Sequence, residues 1–138
     1  HGIQKYHRRM DVFVEAGALL AIENKIDSSE QPEQVKDYLN HLRYCTSRNG
    51  KGRALIYLTP DGRRPNKSLT DPETKAHAAS GELRCWSYPN HLRPWLENCR
   101  RECKARRISA FISDFIAYIE SALKRESEHS QEEQTDED

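Results

Sequence analysis

The stretch LLAIENKIDSSEQPEQVKDYLNHLR, residues 19–43, runs from an apolar segment, Leu19 to Ile22, straight into Glu23, Asn24 and Lys25, and then into a helical pattern. Side chains two apart on a strand point the same way, so Glu23 and Lys25 share one face and Asn24 takes the other. Charge at the buried end of a strand is costly unless it is paired or used. The residues just upstream, MDVFVEAGA (10–18), read as the other arm of a hairpin. Val12, Phe13 and Val14 are strand formers, and Ala16-Gly17 is the turn, with Gly17 free to take positive φ. Simple pairing about residues 16 and 17 opposes Asp11 to residue 22, one bulge away from Glu23. Two carboxylates and one ammonium then converge.

Such a cluster has a chemical use. Two carboxylates can hold Mg²⁺, which favours oxygen ligands and keeps several waters. A bound ion acidifies a water and polarises a phosphoryl oxygen. A lysine beside it can orient the attacking water and offset charge building on the phosphate. An isolated E-x-K is also the pattern of a structural ion pair at a frayed strand end. The upstream Asp11 and the glutamine-bearing helix that follows set this one apart.

Working outward, the second strand spans about Ala18 to Ile26 and is apolar on both faces, as central strands are. Ser28 is the expected N-cap of the next helix, with Gln31 completing a capping box and Pro32 in the first turn. Val35, Tyr38, Leu39 and Leu42 recur at helical spacing. A basic loop, SRNGKGR, leads to the apolar strand ALIYLT (54–59), closed by turn chemistry at Pro60-Asp61-Gly62. Residues 63–81 read as a polar excursion and LRCWSY (83–88) as another strand. Pro94 opens a helix with Trp95, Leu96 and Cys99 on one side. Ile108, Phe111, Ile112, Phe115, Ile116, Ile119 and Leu123 form the wide apolar stripe of a last helix. Helix crossovers between strands imply an α/β core with a mixed sheet.

The chain of 138 residues is one domain's worth. Its formal net charge of zero hides an asymmetry. The last fourteen residues, RESEHSQEEQTDED, carry seven acids and one arginine, which leaves 21 bases against 15 acids, or +6, in the rest. A nuclease-sized body, residues 1–124, is thus followed by a tail, 125–138, whose composition predicts disorder. A basic body suits a polyanion, or simply presents a solvated surface. The four cysteines, Cys45, Cys85, Cys99 and Cys103, make no recognised zinc pattern. They read as reduced thiols, which fits a cytoplasmic location. No apolar run approaches the ~20 residues of a membrane span, and no signal-peptide pattern precedes the first strand.

Three segments in order, RRMDVFVEAGALLAIENKIDSSEQPEQVKDYLNHL, ALIYLTPDGRRP and CWSYPNHLRPWLENC, resemble the PD-(D/E)xK nuclease superfamily over roughly residues 8–120. The similarity is to a bacterial and phage-associated branch with an IENKI…QxxQ…Y segment and a YLTPDG strand. It implies a restriction-endonuclease-like core, a mixed sheet flanked by helices, and Mg²⁺- or Mn²⁺-dependent hydrolysis of DNA. Asp11 matches the first metal-binding aspartate, Glu23 the second acidic ligand and Lys25 the catalytic lysine. Asn24 would lend its backbone carbonyl to the metal. Gln31, Gln34 and Tyr38 match the polar helix positions and would face the site or the substrate backbone. Packing and helix capping are their other reading. Met10 stands where the family name places proline. The helix that usually precedes the first strand would lie upstream of the ten residues before Asp11.

Other residues remain open. His7 lies near Asp11 along the same expected strand. Trp86 and Trp95 are expected beneath the last helices, as core. Arg100, Arg101, Lys104, Arg106 and Arg107, and separately Arg63, Arg64 and Lys67, could grip phosphates or form solvated faces. A non-catalytic nucleic-acid-binding module on the same fold is the alternative function, and pairing of the last helix with a partner is a third.

Overall fold

The computed structural model describes residues 10–25, 31, 33–47, 49–67 and 69–135, with side chains described as far as Arg125. The chain divides into two units, His1–Trp86 and Ser87–Asp138.

The first unit is built on a four-stranded sheet in the order β1-β2-β3-β4, formed by Val12–Glu15, Ala18–Asn24, Gly52–Thr59 and Leu83–Ser87. β1 is antiparallel to β2, and β2 is parallel to β3, so the sheet is mixed and the unit is α/β. The hairpin register differs from simple pairing. Val12 opposes Ile22 and Glu15 opposes Leu19, so three residues, 16–18, separate the last pair. Within that link the Ala16 N–H donates to the Ala18 carbonyl at 3.0 Å, and Gly17 does not take positive φ. The extra residue moves the pairing by one step. Asp11 therefore falls opposite Glu23 directly, with no bulge.

β2 ends at Asn24, and its alternation decides what the strand presents. Leu19, Ala21, Glu23 and then Lys25 are buried, while Leu20 and Ile22 are half-buried. The face that carries the two charges is thus the core face. Leu55 and Tyr57 of β3 join it, with Leu83 from β4. Helix α1, Gln34–Thr46, covers that face with Val35, Tyr38, Leu39 and Leu42, as its periodicity predicts.

α1 begins later than expected. Its cap is Glu33 in the left-handed region, at φ 62°, with no side-chain bond to the helix. Ser28 and Pro32 lie outside the described residues. Proline disfavours the α region for the residue before it, so a helix cannot grow back through Gln31. The stretch 63–81 is also more than an excursion, because it holds helix α2, Asp71–Ser80. A full capping box joins Thr70 and Glu73, and Gly81 ends the helix at φ 79°. Only Thr74 of α2 is buried, which explains why no apolar period announces it.

Glu82, just before β4, gathers side chains from three elements. It accepts from Arg53 of β3 at 2.5 Å and from Arg43 of α1 at 3.5 Å, and meets His77 of α2 at 3.0 Å. Burial alone would raise its pKa. The hydrogen bonds from His77 and Arg53 and the arginine charges more than offset this and hold the carboxyl below its usual range.

In the second unit a π-helical turn, Tyr88–Leu92, leads into α3, Arg93–Glu102, and then α4, Arg106–Thr135. Pro94 sits in the first turn of α3, as expected. Leu96, Ile116 and Ile119 are buried, and Arg93 reaches Glu120 at 2.8 Å. Two expectations fail here. Trp95 is 53% exposed, so it is not core. The wide stripe of α4 splits, since Ile116 and Ile119 are buried while Ile108, Phe111 and Phe115 are exposed. The backbone of the acidic residues as far as Thr135 is helical. Glutamate and glutamine are good helix formers, so a composition that suggests disorder also permits a continued helix.

Leu42 is fully buried between α1 and the sheet. Leu42→Ala is expected to destabilise the protein by about 2–5 kcal/mol, read from the midpoint of urea unfolding.

Candidate active site

The end of β2 and the first two turns of α1 build the site together. β2 carries Glu23 and Lys25 out on its core face, and the Lys25 N–H is anchored to the Leu58 carbonyl of β3 at 2.8 Å. The Lys25 ammonium lies 3.1 Å from Glu23 Oε1. Both residues are about 5% exposed or less. From α1, Gln34 Nε2 donates to the same Glu23 oxygen at 3.1 Å and to the Tyr38 hydroxyl at 3.0 Å. Gln34 Oε1 accepts the backbone N–H of Gln31 at 3.5 Å, which turns the amide nitrogen toward Glu23. A continuous polar chain thus runs Lys25–Glu23–Gln34–Tyr38 through the core.

Asp11 stands at the mouth of this chain. Its Oδ2 accepts the backbone N–H of Asn24 at 2.8 Å, which ties the start of β1 to the end of β2. Asp11 is exposed, unlike Glu23, yet its charge acts on Glu23. Burial is the largest influence on Glu23 and raises its pKa. The Lys25 hydrogen bond opposes this, the Asp11 charge raises it further, and the net shift is upward. Tyr38 is shifted upward too, chiefly by burial, against the hydrogen bond from Gln34 and with the charges of Glu23 and Asp11.

Glu23 Oε2 is buried and has no hydrogen-bond partner among the described residues. Buried polar atoms are nearly always satisfied, so a lone carboxylate oxygen needs an explanation. It lies on the carboxylate that faces Asp11 across the hairpin.

The structure therefore brings Asp11, Glu23, Lys25, Gln34 and Tyr38 together. Gln31 is exposed and meets Gln34 through its main chain. Asn24 meets Asp11 through its backbone N–H. Tyr38 is fully buried, so it supports Gln34 from within the core. His7 lies outside the described residues. The lone Oε2 and the Leu58 anchor of Lys25 are not visible in the sequence, because both depend on which atoms another strand and helix leave unpaired. No group of three or more His, Cys, Asp or Glu residues suited to a metal occurs among the described residues, so a cation here would rest on the two carboxylates and other oxygens.

A sequence model of the PD-(D/E)XK nuclease superfamily matches residues 2–117. The chain belongs to that superfamily. The match spans most of the chain and includes both strands of the hairpin, α1 and the start of α4. Comparison with the curated proteins and with the solved structures finds no match. The mixed sheet and its helices are the superfamily's restriction-endonuclease-like architecture. Membership implies nuclease activity, and PD-(D/E)XK nucleases generally use divalent metals. No helix among the described residues is long and apolar enough to cross a membrane.

The raised Glu23 pKa has a consequence for folding. The folded state holds this proton more tightly than the unfolded chain does. Stability is therefore lost as pH rises from the ordinary carboxylate range through the raised value. In chelator, the urea midpoint of the wild type is expected to fall across that window relative to Glu23→Gln. Parallel profiles for the two proteins would contradict the shift.

Proposed function

We propose that the protein is a divalent-metal-dependent deoxyribonuclease, with Asp11 and Glu23 holding Mg²⁺ or Mn²⁺ and Lys25 positioning the attacking water. The observation that carries this reading is the unpartnered, buried Glu23 Oε2 beside the Asp11 carboxylate. The residues present fit a hard cation, because the donors are oxygens and at least one needs a partner. The backbone carbonyl of Asn24 is a third oxygen on the same strand end. When bound, the ion supplies a water of lowered pKa and neutralises charge on a phosphoryl oxygen.

The rest is the work of the chain. Glu23 fixes the Lys25 ammonium at 3.1 Å. An ammonium held on a strand end can aim a water at phosphorus and oppose negative charge as it grows. The water oxygen bonds to phosphorus in line with the P–O bond that breaks, and the leaving sugar oxygen takes up a proton from solvent. Gln34, held by Tyr38 and Gln31, keeps the Glu23 carboxylate from rotating. Gln34 and Tyr38 thereby act as positioning residues in this reading, and exposed Gln31 is the one of the three free to reach substrate. Arg63, Arg64 and Lys67 follow the end of β3, at the same sheet edge as Lys25, and suit contact with a phosphate backbone.

Lys25→Ala is expected to lower plasmid cleavage in Mg²⁺ by at least roughly 100-fold while the far-ultraviolet dichroism stays native. Cleavage by Lys25→Ala at the wild-type rate would refute the assignment. Wild-type protein that retards DNA but never nicks it, with or without Mg²⁺ or Mn²⁺, would instead establish the binding-module alternative.

A further inference from the structure

Helix α4 carries two apolar stripes. One holds Ile116 and Ile119 and is buried within the second unit. The other holds Ile108, Phe111, Phe115 and Tyr118, which are 56, 68, 37 and 52% exposed. Their spacing is three, four, three, the seam of a coiled coil rather than a scatter of surface residues. The Phe111 and Phe115 rings already stack, with centroids 6.3 Å apart, so little side-chain freedom is left to lose. A contiguous apolar seam of this kind marks an interaction surface.

Charge on either side of the seam selects its occupant. Before it lie Arg100, Arg101, Lys104, Arg106 and Arg107. After it, seven of the thirteen residues 126–138 are acids. A parallel pairing of two copies would set base against base and acid against acid. An antiparallel pairing sets each copy's acidic end beside the other's basic turn. The seam is symmetric for that arrangement. Turning a second copy about the middle of the seam puts Ile108 opposite Tyr118 and Phe111 opposite Phe115, because each pair of numbers has the same sum. The same operation puts Arg106 opposite Glu120.

We infer that α4 pairs antiparallel with α4 of a second copy of this chain, through Ile108, Phe111, Phe115 and Tyr118, with the acidic residues beyond 125 lying against the partner's basic turn. The interface is isologous, as a two-fold dimer requires.

Sedimentation of the full chain at micromolar concentrations tests this. The wild type is expected to be a dimer. Phe111→Glu combined with Phe115→Glu is expected to raise the dissociation constant at least about 100-fold. Both side chains are exposed, so helicity measured by circular dichroism stays native in that variant. Deleting residues 126–138 is expected to weaken the dimer by roughly tenfold, and added salt to weaken the wild type in the same direction. A monomeric wild type overturns the proposal and leaves the seam to a different partner. A dimer untouched by the double substitution overturns it as well, and one untouched by the deletion overturns the antiparallel arrangement.

Discussion

A carboxylate and an ammonium, Glu23 and Lys25, sit 3.1 Å apart on the buried face of a central strand. That pair is the constraint around which the first unit is arranged. Removing two charges from water costs several kcal/mol per ion, and their attraction alone returns this only with good geometry and further hydrogen bonds. The neighbours supply part of that. Gln34 donates to Glu23, Tyr38 backs Gln34, and the Lys25 backbone is tied to β3. The supply stops short at Glu23 Oε2. A structural ion pair has no reason to leave a buried oxygen unpaired. A site that expects an oxygen-seeking cation does.

The same constraint explains why the hairpin and the helix must both be where they are. A two-residue turn would place Asp11 opposite Ile22, on the other face of the sheet from Glu23. The three-residue link at 16–18 restores the face and lets Asp11 accept the Asn24 N–H. The late start of α1 has a matching effect. It puts Gln34 in the first turn, where its amide can reach both the Gln31 N–H and the carboxylate on β2. Register and helix boundary are local matters of one or two residues. Here they decide whether two acids can share an ion.

Much of this was legible in the sequence. The apolar run ending in Glu23-Asn24-Lys25 fixed the shared face, and the period through Val35, Tyr38, Leu39 and Leu42 fixed the helix that covers it. The superfamily resemblance located the same residues, and the family match agrees over residues 2–117. What escaped was of three physical kinds. Turn length at 16–18 is not set by any residue that demands one geometry. Helix α2 is held by its caps and by one buried threonine, so it lacks an apolar signature. The stripe of α4 looked like a single core face because periodicity counts apolar residues without saying what covers them. Trp95 misled for the same reason, since size and apolarity do not guarantee burial.

The central claim is that Asp11 and Glu23 jointly hold one divalent ion, and a calorimetric titration of the full chain with Mn²⁺ tests it most directly. The account predicts saturable uptake by the wild type that is abolished in Asp11→Asn and in Glu23→Gln, with both variants still folded. Uptake of Mn²⁺ by either variant with wild-type affinity, or none by the wild type, would contradict it.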